Sequence, residues 1–379
     1  MVLTREWNDT VQTWDYVKDG VKGRKNLVFR TCAEEKGRVV FQIGTTNAVR
    51  ALKSAELVSQ DVAGVDVNMG CPKHFSISGG MGAALLKKPE VAEDILKTLR
   101  RNLNIPVTCK IRLLERSDDM RSTVEFVRRL EAAGAQAIGV HMRSIHERPC
   151  DPARWKMLAP VVAAVPDTPI IANGDAFSLQ DAAEIKEMSG CSSVMFARAA
   201  MWNPSVFRTV ERGGPMPLQE SIHAYLKVCS DTGNAFNNTK YVVQQMLRHT
   251  KELGGAQGVA LGRAKSARAV CAVWGEEAEA YQVEKEAEWA RVLAGTAGGC
   301  GGGGEGGSSK DRGGGDDGGS GASRGVMEDT HKYSDSYFAE GKEGKEGALP
   351  TEDTTDSGKR KSEEASEADA ADAGKRPKP

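Results

Sequence analysis

The sequence predicts an α/β protein built on a TIM (β/α)8-type barrel, followed by a helical domain and a disordered tail. Three observations carry this. Short apolar runs alternate with amphipathic stretches between residues 37 and 207, the pattern of parallel strands joined by right-handed helical crossovers. The runs are near-continuous in apolar residues, as strands are when both faces are buried. Polar residues punctuate their C-terminal ends: Gln42, Asn68, Lys110, Arg112, His141, Arg143, Asn173 and Arg198. An open doubly wound sheet fits the alternation as well, but barrel enzymes gather catalytic groups at that end of the strands, which favours the barrel.

Residues 1–36 are polar, with Trp7, Trp14 and Tyr16 loosely spaced and Gly20 and Gly23 as breakers. A short helix or ordered coil is expected there. From residue 37 strands are expected over 39–44 (VVFQIG), 65–69, 106–113 (PVTCKIRL), 137–142 (AIGVHM), 169–173 (PIIAN) and 193–197 (SVMFA). Helices are expected over 47–58, 89–103, 120–133, 153–165 and 179–188, with Pro89 in a first turn and Gly134 and Gly190 closing helices. A complete barrel has eight strands and six are found, so the barrel is expected to lack its first two. Beyond residue 208 strand signals stop and helical periodicity takes over to about 293, as in Val242-Val243-Met246-Leu247. Sixteen of the 42 glycines then fall within 295–325, and an acidic Ser/Ala-rich segment follows. Such composition cannot bury a core, so 294–379 is expected to be disordered.

Charge divides the chain. Residues 1–293 carry 39 Lys+Arg against 34 Asp+Glu, and 294–379 carry 12 against 18. Residues 208–271 alone hold nine basic and four acidic side chains; this face is either an ordinary solvated surface or a phosphate-contacting one. The eight cysteines are scattered, with no C-x-x-C pair. That argues against a zinc site and a disulfide framework, and fits a reducing compartment. No metal is expected. There is neither a signal peptide nor an apolar run of about 18 residues, so no membrane is expected. A cytoplasmic location follows, with Lys359-Arg360-Lys361 and Lys375-Arg376 as candidate nuclear-import signals.

The stretch with most chemistry is Val65-Asp66-Val67-Asn68-Met69-Gly70-Cys71-Pro72, followed by Ser78-Gly79-Gly80-Met81-Gly82. Gly70 and Pro72 stop a strand and leave the Cys71 thiol at its exit above a glycine-rich loop. A buried structural cysteine is the bland alternative. Lys110 ends a strand where its ammonium can pair with a phosphate, an electron-rich ring or a carboxylate. His141 also ends a strand, in a catalytic or a structural role. Asn173-Gly174-Asp175 and Ala197-Arg198 end the last two strands, where barrels often bind phosphate. No G-x-G-x-x-G follows a strand, which argues against a dinucleotide-binding site of that kind.

Val67-Asn68-Met69-Gly70-Cys71-Pro72-Lys73 with Gly79-Gly80-Met81-Gly82-Ala83-Ala84-Leu85-Leu86 resembles the signature of the tRNA-dihydrouridine synthases, flavin-dependent barrel enzymes. Phe41-Gln42-Ile43-Gly44-Thr45, Thr108-Cys109-Lys110-Ile111-Arg112, Ala197-Arg198-Ala199-Ala200-Met201-Trp202-Asn203-Pro204 and Asn238-Thr239-Lys240-Tyr241 are most similar to the eukaryotic subgroup acting on position 20 of the D-loop. The resemblance runs from about residue 26 to 272, starting just before the third barrel strand. It implies reduction of a tRNA uridine to 5,6-dihydrouridine, with a hydride from reduced FMN to C6, a proton from Cys71 to C5, and NADPH (or NADH) as reductant. It implies that Gln42, Lys110, His141, Asn173, Gly174, Asp175, Ala197 and Arg198 hold FMN. Asn68 and Arg143 would contact uracil or flavin, and Lys240 would belong to a tRNA-binding helical domain. The expected partners are tRNA and NAD(P)H, and the expected state is a monomer. Two other readings stay open: a non-catalytic tRNA-binding remnant of such an enzyme, and an FMN barrel acting on a free pyrimidine.

Overall fold

The structure, a computed structural model, describes residues 3–20 and 25–297. It begins with a three-stranded antiparallel sheet of β1 (Thr4–Asn8), β2 (Thr13–Asp19) and β3 (Lys25–Thr31), in the order β1-β2-β3. The expectation of a helix or coil over residues 1–36 is therefore corrected. Its cause is a polar residue inside the strand: Asp15 is buried between Thr13 and Tyr16, which hides the alternation that marks a half-buried strand. Asp15 is accommodated because Arg30 of β3 donates to both its oxygens at 2.6 Å, with Asn8 and Thr13 adding hydrogen bonds at 3.0 Å.

The small sheet is tied to the rest of the chain by paired polar groups rather than by strand pairing. Arg5 forms a bidentate pair with Asp61, at 2.7 and 3.0 Å, and the Tyr16 hydroxyl donates to the same carboxylate. Phe29 packs edge-on against Phe41 with ring centroids 5.0 Å apart.

Six parallel strands follow in strict sequence order: β4 (Val40–Ile43), β5 (Gly64–Asn68), β6 (Val107–Arg112), β7 (Ile138–His141), β8 (Ile170–Asn173) and β9 (Ser193–Met195). Neighbours in sequence are neighbours in space, without the reversal of a doubly wound sheet. Between β4 and β9 no pairing occurs among the described residues, so each has one unpaired edge.

The expectation that both faces of these strands are buried is also corrected. In β6 the side chains alternate: Val107, Cys109 and Ile111 are buried and Thr108, Lys110 and Arg112 are not. Through register, Val65, Val67, Ile138, Val140, Ile170 and Ala172 share the apolar face. Helices cover it, chiefly α1 (Ala48–Val58), α2 (His74–Ser78, a single short turn over the β5 exit), α3 (Pro89–Asn102), α4 (Arg121–Ala132), α5 (Ala159–Ala164) and α6 (Leu179–Ser189). Each long helix turns a helical-period stripe inward, as in Ala92, Ile95, Leu96 and Leu99 of α3. The opposite face of the sheet is polar, and the candidate site lies on it.

The remaining expected elements stand within a few residues, except that 153–165 divides into a 3-10 turn, Trp155–Leu158, and α5. Pro160 has no N–H to continue an upstream helix and suits a first turn instead. After the short α7 (Arg198–Trp202), helices α8 (Leu218–Asp231), α9 (Phe236–Leu247), α10 (Ala256–Arg263), α11 (Ala267–Ala272) and α12 (Glu276–Ala297) pack around a second core of Ile222, Leu226, Val243, Met246, Leu247, Leu261, Val270 and Trp274. The expected disordered tail and its basic clusters lie outside the described residues, apart from the last turn of α12. Among the described residues no helix is long and apolar enough to cross a membrane.

The Tyr16–Asp61 bond gives a test of how the small sheet is held. Tyr16→Phe is expected to lower the stability of the chain by about 2 kcal/mol, the usual worth of a hydrogen bond to a charged group. Urea unfolding of the variant against the parent reads the change.

Candidate active site

Gln42, Asp66 and Thr108 stand side by side on β4, β5 and β6, and Asn68 stands beside Lys110 one step further on. A hydrogen-bonded row links them. Thr108 Oγ1 donates to Asp66 Oδ1 at 2.7 Å, and Gln42 Nε2 to Asp66 Oδ2 at 2.8 Å. Asn68 Nδ2 donates to Gln42 Oε1 at 2.9 Å, and Asn68 Oδ1 accepts the N–H groups of Gly70 and Cys71 at 3.1 and 3.0 Å. Burial raises the Asp66 pKa against the opposing effect of Gln42 and Thr108.

Lys110 makes no side-chain hydrogen bond among the described residues, and burial, reinforced by the charge of Arg112, lowers its pKa to about 8. Gly139 leaves room for it, since a Cβ there would come within 3.2 Å of Lys110 Cγ.

Cys71 is half-buried at the C-terminal end of β5, on backbone held from several directions. Its carbonyl accepts the Ala83 N–H at 3.0 Å, and the preceding carbonyl, Gly70 O, accepts Arg112 Nε at 3.0 Å. Gly82 packs beneath it with φ +58°, where an added Cβ would lie 2.3 Å from Ser76 Oγ and 2.8 Å from Cys71 O. Only glycine fits that position, both for its backbone angle and for the space. Gly82 of the glycine-rich loop therefore locks the cysteine loop.

Across the sheet, the turn after β8 puts Gly174 at φ +125° and Asp175 at +54°. A left-handed aspartate is uncommon and has to be held in place. Arg143 and Arg198 each donate to one oxygen of Asp175, and the Ala153 N–H donates at 2.7 Å. Although burial raises its pKa, these partners keep the carboxyl below its ordinary value. Trp155 Nε1 donates to Gly174 O, and Asn173 Nδ2 to Met195 O, both at 2.9 Å. His141 lies among Arg112, Lys110 and Arg143, and burial together with these charges lowers its pKa to about 3. It is a neutral imidazole at physiological pH, able to donate or accept one hydrogen bond but not to carry charge.

Arg112, His141, Arg143, Asn173, Gly174, Asp175, Ala197 and Arg198 line a single cavity of about 210 Å³. Gln42, Asn68 and Lys110 lie on β4, β5 and β6, on the polar face that continues from β7. Of the residues singled out in the sequence, Lys240 is not brought to this place. It lies on α9, where its ammonium donates to Gly262 O and Ala264 O at 2.8 and 2.9 Å and closes the end of α10. Arg143 is buried with its guanidinium engaged by Asp151 O, Pro149 O and Asp175, and its Nη1 lies 3.4 Å from His141 Nε2, so it shapes the cavity by holding its neighbours. Asp66, Thr108 and Arg112 were not among the expected site residues. The two-residue period of a strand could have found them, since each lies two positions from a residue that was.

The profile of the dihydrouridine synthase (Dus) family matches residues 3–288. The chain belongs to this family. The match extends beyond the 26–272 over which the motifs resemble it, and it includes the small N-terminal sheet. Among curated proteins, the tRNA-dihydrouridine(20) synthase [NAD(P)+] of Schizosaccharomyces pombe is 37% identical over 252 residues, covering 65% of this chain and 51% of that protein. The Saccharomyces cerevisiae protein of the same name is 31% identical over 261 residues, covering 64% of this chain and 66% of its own length. A tRNA-dihydrouridine(16) synthase of Neisseria meningitidis is 36% identical over 210 residues, 54% of this chain and 60% of that one. The chain thus spans between half and two thirds of these relatives.

The depressed pKa of His141 sets a pH dependence. Unfolded, it takes up a proton near its ordinary value of 6.5, and folded only near 3. Its share of stability is thus fully present above pH 6.5 and is lost as pH falls toward 3. The His141→Asn variant is expected to lose stability less steeply across that window, as read by thermal unfolding at a series of pH values.

Proposed function

We propose that this chain reduces a uridine of tRNA to 5,6-dihydrouridine. The observation that carries the reading is the Cys71 thiol, fixed on a glycine-locked loop at the end of the sheet where Lys110, His141 and the Asp175–Arg198 turn meet. The names of the relatives support tRNA as the substrate, and two of them support position 20 of the D-loop. We further propose that the six parallel strands are the third to eighth of an eight-stranded barrel.

The donor set suits FMN. A half-buried ammonium with no hydrogen-bond acceptor of its own, Lys110, faces the polar side of the sheet, and a cavity lined by Arg198 and the turn at Gly174 stands beside it. Gln42 and Lys110 would meet the ring system, with Lys110 supplying positive charge to an electron-rich ring. Asn173, Gly174, Asp175, Ala197 and Arg198 would hold the ribityl chain and phosphate. The chemistry that FMN supplies when bound is hydride donation to C6 of the uracil, with NADPH as the external reductant.

The protein's own part is the proton. Cys71 delivers its thiol proton to C5 as the ring accepts electron density. His141, neutral, orients the base by hydrogen bonding. Asn68 acts on Cys71 through its backbone, and Arg143 acts by fixing Asp175. The uridine must be unstacked and swung out of the tRNA to reach the thiol. Basic side chains of 208–271 other than Lys240, such as Arg248 and Arg263, supply phosphate contacts, giving an affinity that falls with salt.

Cys71→Ala tests the reading on the purified chain. Flavin absorbance should survive the substitution, while dihydrouridine in a tRNA transcript, measured by nucleoside mass spectrometry, should form at least ~100-fold more slowly, the usual share of a positioned acid. Undiminished dihydrouridine formation in that variant would overturn the assignment of the acid. A colourless parent that still binds tRNA would point instead to a binding remnant.

A further inference from the structure

The geometry points to Asp66 as a positioning residue: through the amides of Gln42 and Asn68, its carboxylate fixes the backbone that carries Cys71. No role had been expected for it from the sequence, and the functional weight of the inference rests on the reading of Cys71 as the reacting thiol.

The row of hydrogen bonds from Asp66 to Cys71 has a direction. At the Cys71 end, the two groups facing Asn68 are backbone N–H donors, Gly70 at 3.1 Å and Cys71 at 3.0 Å. Asn68 must therefore present its oxygen to them. That turns its Nδ2 toward Gln42, which must answer with Oε1, at 2.9 Å. The Gln42 amide is then fixed as well, and its Nε2 points at position 66, 2.8 Å from Asp66 Oδ2. What stands there has to accept a hydrogen bond, and the second carboxylate oxygen already takes the Thr108 hydroxyl at 2.7 Å. A carboxylate, with acceptors on both oxygens, closes the row without a mismatch. An amide at 66 still serves Gln42 by turning its oxygen to Gln42 Nε2 and its NH2 to the Thr108 hydroxyl, which accepts as well as donates. A side chain without an acceptor does not: Gln42 Nε2 loses its partner, nothing holds the Gln42 amide against a flip, and a flipped Gln42 turns Asn68 so that its NH2 faces the N–H groups of Gly70 and Cys71. Removing the acceptor on β5 thus releases the loop that follows the strand. The same row sets Gln42 with an N–H directed along the sheet rather than a carbonyl.

The test reads Cys71 itself and requires neither flavin nor tRNA, so failure to find uridine reduction leaves it standing. The full chain is treated with iodoacetamide, and alkylation is followed peptide by peptide by mass spectrometry, with exposed Cys150 as the internal reference. Asp66→Ala, which removes the acceptor, is expected to raise the Cys71 rate about tenfold relative to Cys150, as the loop loses its anchoring bonds. Asp66→Asn, which keeps an acceptor for Gln42, should stay within about twofold of the parent. A Cys71 rate unchanged or lowered in Asp66→Ala overturns the inference. So does an equally fast rate in Asp66→Asn while its unfolding transition matches the parent, since a retained acceptor at 66 then fails to restore the loop.

Discussion

Everything in the parallel-sheet half of this protein depends on the two-sided character of its strands. Each strand gives alternate residues to a helix layer and to an open polar face. The apolar set, such as Val65, Val67, Cys109 and Ile111, is buried completely and supplies the stabilisation that a sheet with two unpaired edges needs. Because the side-chain period is two, that burial also fixes which polar residues face the other way. Asp66 cannot be moved off the polar face without driving Val65 and Val67 out of the core. The site is in this sense a by-product of packing: the register that hides valine and isoleucine is the one that aligns Gln42, Asp66 and Thr108 across three strands.

The polar face has an electrostatic bias. Lys110, Arg112, Arg143 and Arg198 converge on it, against Asp66 and Asp175. Burial, with the charges of the neighbouring cations adding to it, lowers the pKa values of Lys110 and His141. Asp175 offsets part of it by taking one guanidinium on each oxygen in a backbone conformation that aspartate seldom adopts. What remains is a basin that favours electron-rich and anionic groups, consistent with a phosphorylated cofactor, while His141 remains uncharged between them.

Most of the parallel sheet was legible in the sequence because its signals are local. Each strand is a short apolar run, and each helix has its own stripe and stop signal, as with the Ser178–Asp181 capping box and Gly190 around α6. The strand-end residues of the site were legible for the same reason. Three things were not. The N-terminal sheet was hidden because its central strand buries Asp15, whose partner Arg30 lies on another strand. The polar face was misread as apolar because short runs such as PVTCKIRL count as hydrophobic even when every second residue is Thr, Lys or Arg. The fate of Lys240 was set by Gly262 and Ala264, which no spacing rule brings beside it. In each case the missing information was a contact across the fold, not a property of the segment.

The N-terminal sheet has a consequence for how the chain is made. Arg30 Nη1 donates to the carbonyls of Thr232 and Gly233 at 2.7 and 3.0 Å, at separations of 202 and 203 residues. Those carbonyls end helix α8. On a ribosome the strand bearing Arg30 emerges before the six parallel strands, and its acceptors only after all six have been synthesised. The guanidinium must wait, held meanwhile by Asp15, for the end of α8 to arrive. Closure of this contact across the chain is thus a late event in biogenesis, of the long-range kind that slows folding. Until it closes, the nascent parallel sheet is accompanied by a small sheet whose final docking surface does not yet exist.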